Sequence, residues 1–190
     1  MKWLVFFLEE LSAKEMLDGL LPRMLPEGVG YRCVPFEGKR DLEKQLPKKL
    51  RGWNRPDTRF VVLRDKDSGD CLVIKDRLAT ICRESGKAGT LVRIACHELE
   101  SWYLGDLRAV EQGLGIDGLA RRQGSRKFCD PDRLANPVQE LERLTSKGYQ
   151  KISGSRSIGP HLSTDDNRSH SFKVFVSGVA RMVEEMNGEH

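Results

Sequence analysis

Four short apolar runs, each followed by a segment with helical spacing of its apolar residues, constrain this chain more than any other feature. The runs are Trp3 to Leu8, Tyr31 to Phe36, Phe60 to Leu63 and Leu91 to Ala95. Alternation of strand-like and helix-like segments is typical of crossover connections, which place parallel strands in one sheet. We therefore predict an α/β fold with a mostly parallel four-stranded sheet flanked by helices.

The segments between these runs carry the signals expected of helices. Ser12 to Glu15 has the sequence of a capping box and predicts the start of a helix there. Two further helices are predicted, one over Cys71 to Glu84 with the apolar residues Leu72, Leu78 and Ile81, and one over His97 to Val110.

The pattern changes in the last third of the chain. A helix is predicted from Pro137 to Ser146, the segment Lys147 to Ser171 is polar and without periodicity, and a closing helix is predicted from Phe172 to Met186. We predict a core over residues 1–112 and a C-terminal helical and loop extension over residues 113–190. Because the extension shows no sign of a second core, we expect it to pack on the first within one structural domain.

Composition argues against several classes of protein. No apolar run approaches the roughly 18 residues that span a bilayer, and the run from Trp3 to Leu8 lacks the longer core and cleavage site of a signal peptide. The five cysteines form no CxxC pair, so neither a disulfide framework nor a zinc knuckle is indicated. The net charge of +4 is too small to indicate a nucleic-acid partner by itself. We expect a cytoplasmic protein with reduced thiols.

Acidic residues follow the ends of strands that we expect to be neighbours. Glu9 follows the first strand, and Asp65 and Asp67 follow the third. Reactive groups gather beyond the carboxyl ends of the strands in an open parallel sheet, and the first and third strands are adjacent in the common 2-1-3-4 order. Crowded carboxylates repel unless a cation lies between them, and hard oxygen ligands suit Mg²⁺ or Mn²⁺. These residues predict a divalent-metal site, although an Asp-rich turn alone is also ordinary loop chemistry.

A further pair of acidic residues lies at the fourth strand-to-helix junction. Glu98 and Glu100 are about 200° apart on a helix, so one is expected to face the metal site and the other to interact with the helix dipole. His97 and Glu98 would begin a zinc-protease HExxH motif, but Ser101 stands where the second histidine is needed. We predict that Glu98 or Glu100 supports a second metal ion.

Basic residues are concentrated in a few segments. Between Gly38 and Arg59, eight lysines and arginines stand against three acidic residues, and leucines at positions 42, 46 and 50 predict an amphipathic helix. Such cations would neutralise a nucleic-acid backbone near an acidic metal site, although these runs are also typical of solvated helix faces. Trp53 either stacks a base or packs in the core. The predicted nucleic-acid-binding residues are Lys39, Arg40, Lys48, Lys49, Arg51, Arg126, Lys127 and Arg156.

Eight segments spread over nearly the whole chain carry a resemblance to a known family. They are an apolar strand ending in Glu9, Phe36 to Leu42, Val62 to Cys71, Arg93 to Asp106, Lys127-Phe128, Pro131-Asp132, Tyr149 to Lys151 and Ser169 to Phe172. In this order they resemble the bacterial family catalogued as domain of unknown function DUF4276. That family is similar to a divergent branch of the Toprim fold, which topoisomerases, primases and the overcoming-lysogenization-defect (OLD) nucleases share.

The resemblance implies roles for particular residues. In the Toprim fold a glutamate after the first strand and a DxD pair after the third hold Mg²⁺, which matches Glu9 and the pair Asp65 and Asp67. Toprim nucleases also use a lysine to stabilise the transition state, and Lys151 is our candidate for it. Toprim proteins commonly have glycine after the glutamate. Glu10 stands there in this chain, which implies a rebuilt turn or an altered metal site.

Residues and resemblance together predict a nuclease, and the resemblance alone implies a role in bacterial anti-phage defence. It would hydrolyse phosphodiesters of DNA or RNA, including tRNA, with Mg²⁺ or Mn²⁺, and the resemblance implies a partner ATPase. His161 and His170 are further candidates for proton transfer. The alternative is a non-catalytic Toprim-like subunit that binds and regulates the ATPase, which Glu10 favours. The predicted catalytic residues are Glu9, Asp65, Asp67 and Lys151.

Overall fold

The structure, a computed structural model that describes residues 1–188, is built around a parallel sheet of four strands. The strands are β1 (Lys2–Leu8), β2 (Val29–Pro35), β3 (Thr58–Asp65) and β4 (Leu91–Ala95). Their order is β2-β1-β3-β4, and every neighbouring pair is parallel. The predicted parallel sheet and its winding are therefore confirmed, with β1 and β3 adjacent at its centre.

Helices connect the strands and complete the α/β fold. Within residues 1–188 they are α1 (Leu11–Met24), α2 (Lys39–Arg51), α3 (Cys71–Glu84), α4 (Glu100–Leu104), α5 (Leu107–Leu114), α6 (Pro137–Leu144), α7 (Lys151–Ile158) and α8 (His170–Gly188). Four 3-10 turns lie at Ala120–Gly124, Arg126–Phe128, Pro131–Arg133 and Gly159–His161. No helix in this described part of the chain is long and apolar enough to cross a bilayer.

The two faces of the sheet are covered by cores of unequal size. Successive residues of a strand point to opposite faces, so Phe6 enters the larger core with side chains of α1, α4, α5 and α8, while Phe7 enters the smaller core under α2 and α3. Because both faces are covered, β1 is buried from Leu4 to Leu8. This explains why the strand is a continuous apolar run in the sequence.

Residues of the last third of the chain are packed into the larger core. Helix α7 lies against α1, and a Cβ on Gly159 would overlap the backbone of Met16, so glycine permits the approach. Helix α8 lies against β4, and the ring of Phe175 contacts Phe6 and Trp102. A division of the chain at residue 112 stays a prediction.

The start of α1 differs from the sequence prediction, whereas α3 has the predicted bounds. The prediction of a capping box at Ser12 was wrong, because α1 already begins at Leu11 and Ser12 lies inside its first turn. In α3 the carboxylate of Asp70 accepts hydrogen bonds from the backbone N–H groups of Leu72 and Val73. Leu72, one of the apolar residues from which the helix was predicted, is 71% exposed.

Two long segments were also predicted incorrectly. The helix expected over His97–Val110 is divided into α4 and α5, since Asp106 caps α5 by accepting from the backbone N–H of Ala109 at 3.0 Å. The polar segment Lys147–Ser171, expected to be irregular, contains α7. Its buried face includes Gly154 and Ser155. Small and polar residues leave no apolar periodicity for a sequence pattern to reveal.

Candidate active site

Glu9 and Asp65 meet where β1 and β3 end. The two strands are paired up to Leu8 and Leu63, so the residues that follow lie side by side. The carboxylate of Glu9 is buried and its Oε2 accepts a hydrogen bond from the backbone N–H of Asp65 at 3.1 Å. The parallel pairing thus places the two acidic residues together.

Asp67 lies in the turn that follows β3. Its backbone is left-handed, with φ of 52°, and its N–H donates to the carbonyl oxygen of His97 at 2.7 Å. The end of β4 therefore holds this turn in place. The carboxylate of Asp67 accepts a hydrogen bond from Nζ of Lys39 at 2.8 Å, and its charge contributes to raising the pKa of Glu9, after the larger effect of burial.

Glu100 is brought to this group by α4. Its side chain is 0% exposed, its Oε1 accepts a hydrogen bond from the Tyr149 hydroxyl at 2.7 Å, and its Oε2 has no partner within residues 1–188. Glu98 points elsewhere, because its Oε2 accepts from the backbone N–H of Val138 at the start of α6. Of the two glutamates, Glu100 is the one close enough to Asp65 to raise its pKa.

Lys151, the first residue of α7, brings a positive charge to these carboxylates. Its Nζ lies 2.5 Å from Oε2 of Glu10. Burial alone would lower the pKa of Lys151, but the hydrogen bond to Glu10 and the charges of Glu100 and Asp65 outweigh it, so the pKa is raised. Lys151 is therefore protonated at neutral pH, and Glu10 is the residue that holds it.

We define the acidic crevice as the four residues Glu9, Asp65, Asp67 and Glu100. The carboxyl groups of Glu9, Asp65 and Glu100 have raised pKa values. Burial is the largest cause in each. For Asp65 the charges of Glu100 and Glu9 add to it, and the pKa is well above its usual range. For Glu9 and Glu100, hydrogen bonds from the Asp65 backbone and from Tyr149 oppose the rise without cancelling it. The negative charge of the crevice is thus incompletely compensated by the protein.

The donor atoms of the acidic crevice suit a hard divalent cation. Carboxylate oxygens are the ligands that Mg²⁺ and Mn²⁺ prefer, and Oε2 of Glu100 is a buried acceptor without a hydrogen-bond partner within residues 1–188. Within residues 1–188, however, no group of three or more His, Cys, Asp or Glu side chains is already arranged to hold a metal ion. Lys39 and Lys151 occupy oxygens of Asp67 and Glu10, so cation binding requires side chains here to move.

Sequence reasoning missed two residues that support the crevice. Arg64 is buried, its Nη1 donates to Oε1 of Glu43 at 2.6 Å, and its Nε lies 3.7 Å from Oε2 of Glu9. A charged residue within the buried run of β3 was the available signal. Tyr149, which orients Glu100, belongs to the segment Tyr149 to Lys151 that carries the family resemblance, but no role was assigned to it.

The predicted basic residues of α2 fall at two different places. Lys39 and Arg40 begin the helix beside the crevice, whereas Lys48, Lys49 and Arg51 lie at its other end, up to about 18 Å away along the axis. The structure therefore brings only the first two near the acidic crevice. Trp53, just beyond the helix, packs edge-on against Phe60 with ring centroids 6.0 Å apart and belongs to the smaller core.

The other predicted nucleic-acid-binding residues lie on the C-terminal part of the chain. Lys127 forms an ion pair with Glu140 at 2.7 Å, and Arg156 forms one with Glu15 at 2.6 Å. Arg126 is exposed in the same 3-10 turn as Lys127. These cations are therefore spread over the surface, and two of them already have acidic partners.

The candidate histidines lie apart from the acidic crevice. His161 lines a separate polar cleft of about 430 Å³ together with Arg108 and Arg168. His170 is exposed at the first residue of α8. Neither forms a hydrogen bond or ion pair with the crevice carboxylates in the part of the chain that the structure describes, so proton transfer by either stays a prediction.

Comparisons with known proteins agree with this architecture. A family model described as "Domain of unknown function (DUF4276)" matches residues 8–180. The C-terminal region of the Burkholderia pseudomallei OLD protein is similar in structure, with 16% sequence identity, a TM-score of 0.51, and coverage of 95% of this chain and 98% of that chain. The C-terminal region of the Xanthomonas campestris pv. campestris OLD protein has 14% identity, 97% coverage of each chain and a TM-score of 0.49.

No curated protein matches the sequence. At 16% identity, the likeness to the Burkholderia pseudomallei protein establishes a shared fold. The Toprim-like α/β fold that the sequence predicted is therefore confirmed, while the roles of individual residues stay predictions.

Proposed function

Because the chain belongs to the DUF4276 family and shares the fold of an OLD protein's C-terminal region, we propose that it is a divalent-metal-dependent phosphodiester hydrolase. The observation that carries the proposal is the acidic crevice itself. Buried carboxyl groups with raised pKa values face a protonated lysine. Carboxyl groups whose pKa is shifted by burial and by specific charge partners in a crevice mark a candidate functional site.

The crevice residues have distinct roles in this proposal. Glu9, Asp65, Asp67 and Glu100 would hold Mg²⁺ or Mn²⁺, and Glu98 is left out because it faces α6. A bound divalent cation supplies charge neutralisation and Lewis acidity at a phosphodiester. Lys151 donates hydrogen bonds to the oxygens on which negative charge develops in the transition state. Tyr149 and the Asp65 backbone N–H keep the carboxylates of Glu100 and Glu9 oriented.

A non-catalytic subunit is the second candidate function. It is favoured by the two ion pairs Lys39 with Asp67 and Lys151 with Glu10, which engage the lysine and one DxD carboxylate with protein partners. In this case the same surface would bind and regulate an ATPase. A partner ATPase and a role in anti-phage defence are parts of the proposal that rest on the resemblance, and a cytoplasmic location is a part that rests on the sequence composition.

Cleavage assays with a matched pair of variants test the proposal. Supercoiled plasmid and tRNA are incubated with the full chain in Mg²⁺, in Mn²⁺ and in EDTA. We expect cleavage only with a metal ion, and a loss of ~100-fold or more in Asp65→Asn, since several kcal/mol of charge stabilisation would be removed. Asp76→Asn, an exposed aspartate on α3, is the control and should cleave normally.

Two results would contradict the nuclease assignment. Undiminished cleavage by Asp65→Asn would show that the crevice is not the catalytic site. Absence of cleavage of both substrates by a preparation that binds Mn²⁺ would favour the regulatory subunit instead.

A further inference from the structure

A shallow pocket of about 350 Å³ opens next to the acidic crevice. It lies between the start of α1, the turn that follows β2 and the start of α7. Its apolar walls are Leu11, Phe36 and Ile152, and we call it the α1–α7 pocket. Pockets that bind small ligand groups commonly have volumes of roughly 300–1,000 Å³ and a mainly apolar lining.

The apolar walls are unusually open to solvent. Leu11 is 41% exposed and Ile152 is 44% exposed, whereas Phe36 is buried and forms the floor. A single exposed leucine needs no explanation. Two exposed aliphatic side chains on either side of a concave aromatic floor form a surface that fits a flat, apolar group.

The charged residues on the rim of the pocket are two glutamates and one lysine. The carboxylate of Glu37 forms no hydrogen bond or ion pair within residues 1–188, and that of Glu10 is paired with Lys151. A free carboxylate such as that of Glu37 repels phosphate but accepts hydrogen bonds from the amino groups of nucleobases. The combination of an apolar wall and a carboxylate rim therefore fits an amino-bearing base better than the sugar-phosphate backbone.

The pocket and the crevice share walls. Glu10 and Ser12 line both the α1–α7 pocket and the small cavity beneath Glu9 and Asp65. Lys151 also lines the pocket, and its charge reaches Asp65 and Glu100. A base in the pocket would therefore place its own phosphate close to the lysine and the carboxylates. Stacked, paired bases of a duplex cannot enter such a pocket without unpairing.

We propose that the α1–α7 pocket is a nucleobase subsite, and that the chain acts on single-stranded or locally unpaired nucleic acid. This inference rests on the proposed nuclease function and deepens it, because it assigns the substrate class of the same site. Leu11, Phe36 and Ile152 contact the base, Glu37 accepts a hydrogen bond from it, and Lys151 contacts the adjoining phosphate.

Binding of defined oligonucleotides tests the subsite without any cleavage step. The full chain is titrated in EDTA with a single-stranded oligonucleotide that carries 2-aminopurine, and with the same oligonucleotide in which that base is replaced by an abasic site. We expect Ile152→Ser and Leu11→Ser each to bind the 2-aminopurine strand at least about fivefold more weakly than wild type, as loss of base contacts predicts. Affinity for the abasic strand should stay unchanged.

A matched variant controls for the loss of exposed apolar surface. Val174→Ser removes an aliphatic side chain that is 36% exposed on α8, outside the pocket, and should bind both strands like wild type. Because Leu11 and Ile152 are exposed, the variants Leu11→Ser and Ile152→Ser should melt close to the wild-type temperature. The two variants alter different walls of the pocket, so the binding result of each one checks that of the other.

The outcomes separate the subsite from the nuclease function. Equal affinity of wild type and both variants for the 2-aminopurine strand would overturn the subsite. This holds even if the two variants lose affinity for a protein partner, because the pocket would then bind protein rather than a base. Equal binding of the base-bearing and abasic strands by wild type would overturn it as well. Failure of the nuclease assignment has a different signature, namely normal cleavage by Asp65→Asn, and leaves the binding measurement valid.

Discussion

The acidic crevice and the far end of α2 are both densely charged, but they differ in how the charge is compensated. In the crevice, burial raises the pKa of Asp65 and of Glu100, and one oxygen of Glu100 has no partner within residues 1–188. On α2, Lys48 and Lys49 are exposed to water and form no ion pair in the same part of the chain. Water stabilises the exposed charges at little cost, whereas buried charges depend on specific partners.

The comparison assigns different tasks to the two regions. Uncompensated buried charge favours the binding of a cation at one place, so we expect chemistry and metal affinity to depend steeply on single crevice residues. Exposed charge attracts a polyanion over a longer distance and acts through the sum of many residues. The predictions below test whether the two regions differ in this way.

Replacing the crevice lysine should have the largest effect. Lys151→Met keeps much of the side-chain volume but removes the positive charge, and we expect cleavage to fall roughly 100- to 1,000-fold, as when one stabilising donor is removed from an active site. Lys173→Met, on the exposed side of α8, is the matched control and should lose little activity. Similar losses in both variants would show that Lys151 acts only as part of the surface charge.

Removing the charge of a buried carboxyl group should raise the stability of the fold while it lowers activity. Because burial raises the pKa of Asp65, the folded state binds its proton more tightly than the unfolded state does. The stability from this group is present below the unfolded pKa and is lost as the pH rises through the folded pKa. We therefore expect Asp65→Asn to melt roughly 2–4 °C higher than wild type at pH 8, with the gain disappearing near pH ~4.

Thermal melting in EDTA across this pH range measures the effect, with Asp76→Asn as the control. Addition of Mn²⁺ should raise the melting temperature of wild type and leave Asp65→Asn nearly unchanged, since a ligand stabilises only the state that binds it. A variant that melts at or below the wild-type temperature at pH 8 would show that Asp65 is well compensated in the folded protein.

Replacing exposed cations should have the smallest effects. Replacing a lysine without an ion-pair partner should weaken nucleic-acid binding more than replacing a paired one. We expect Lys48→Gln to reduce the slope of log affinity against log salt for nucleic acid by about one. Lys127→Gln should change it less, because Lys127 is already paired with Glu140. Filter-binding titrations at several salt concentrations compare the two, and equal slopes would contradict a distinction between free and paired cations.

Several features of the fold were predictable from local sequence because burial leaves a direct pattern. A parallel strand covered on both faces is a continuous apolar run, as Leu4 to Leu8 shows. Helix α7 was missed for the converse reason. Its buried positions include Gly154 and Ser155, which hydropathy does not distinguish from a loop.

The sequence by itself determined the four strands and their parallel direction, and with the common 2-1-3-4 order it predicted the meeting of Glu9 with Asp65. Parallel strands run in one direction, so the residues that follow two adjacent strands necessarily share an edge of the sheet. Only the tertiary structure decided that Glu100 rather than Glu98 enters the crevice, that Glu10 holds Lys151, and that the far end of α2 lies away from both. Those outcomes depend on how α4, α7 and α2 pack against the sheet. Packing between distant segments has no local periodicity from which it could be read.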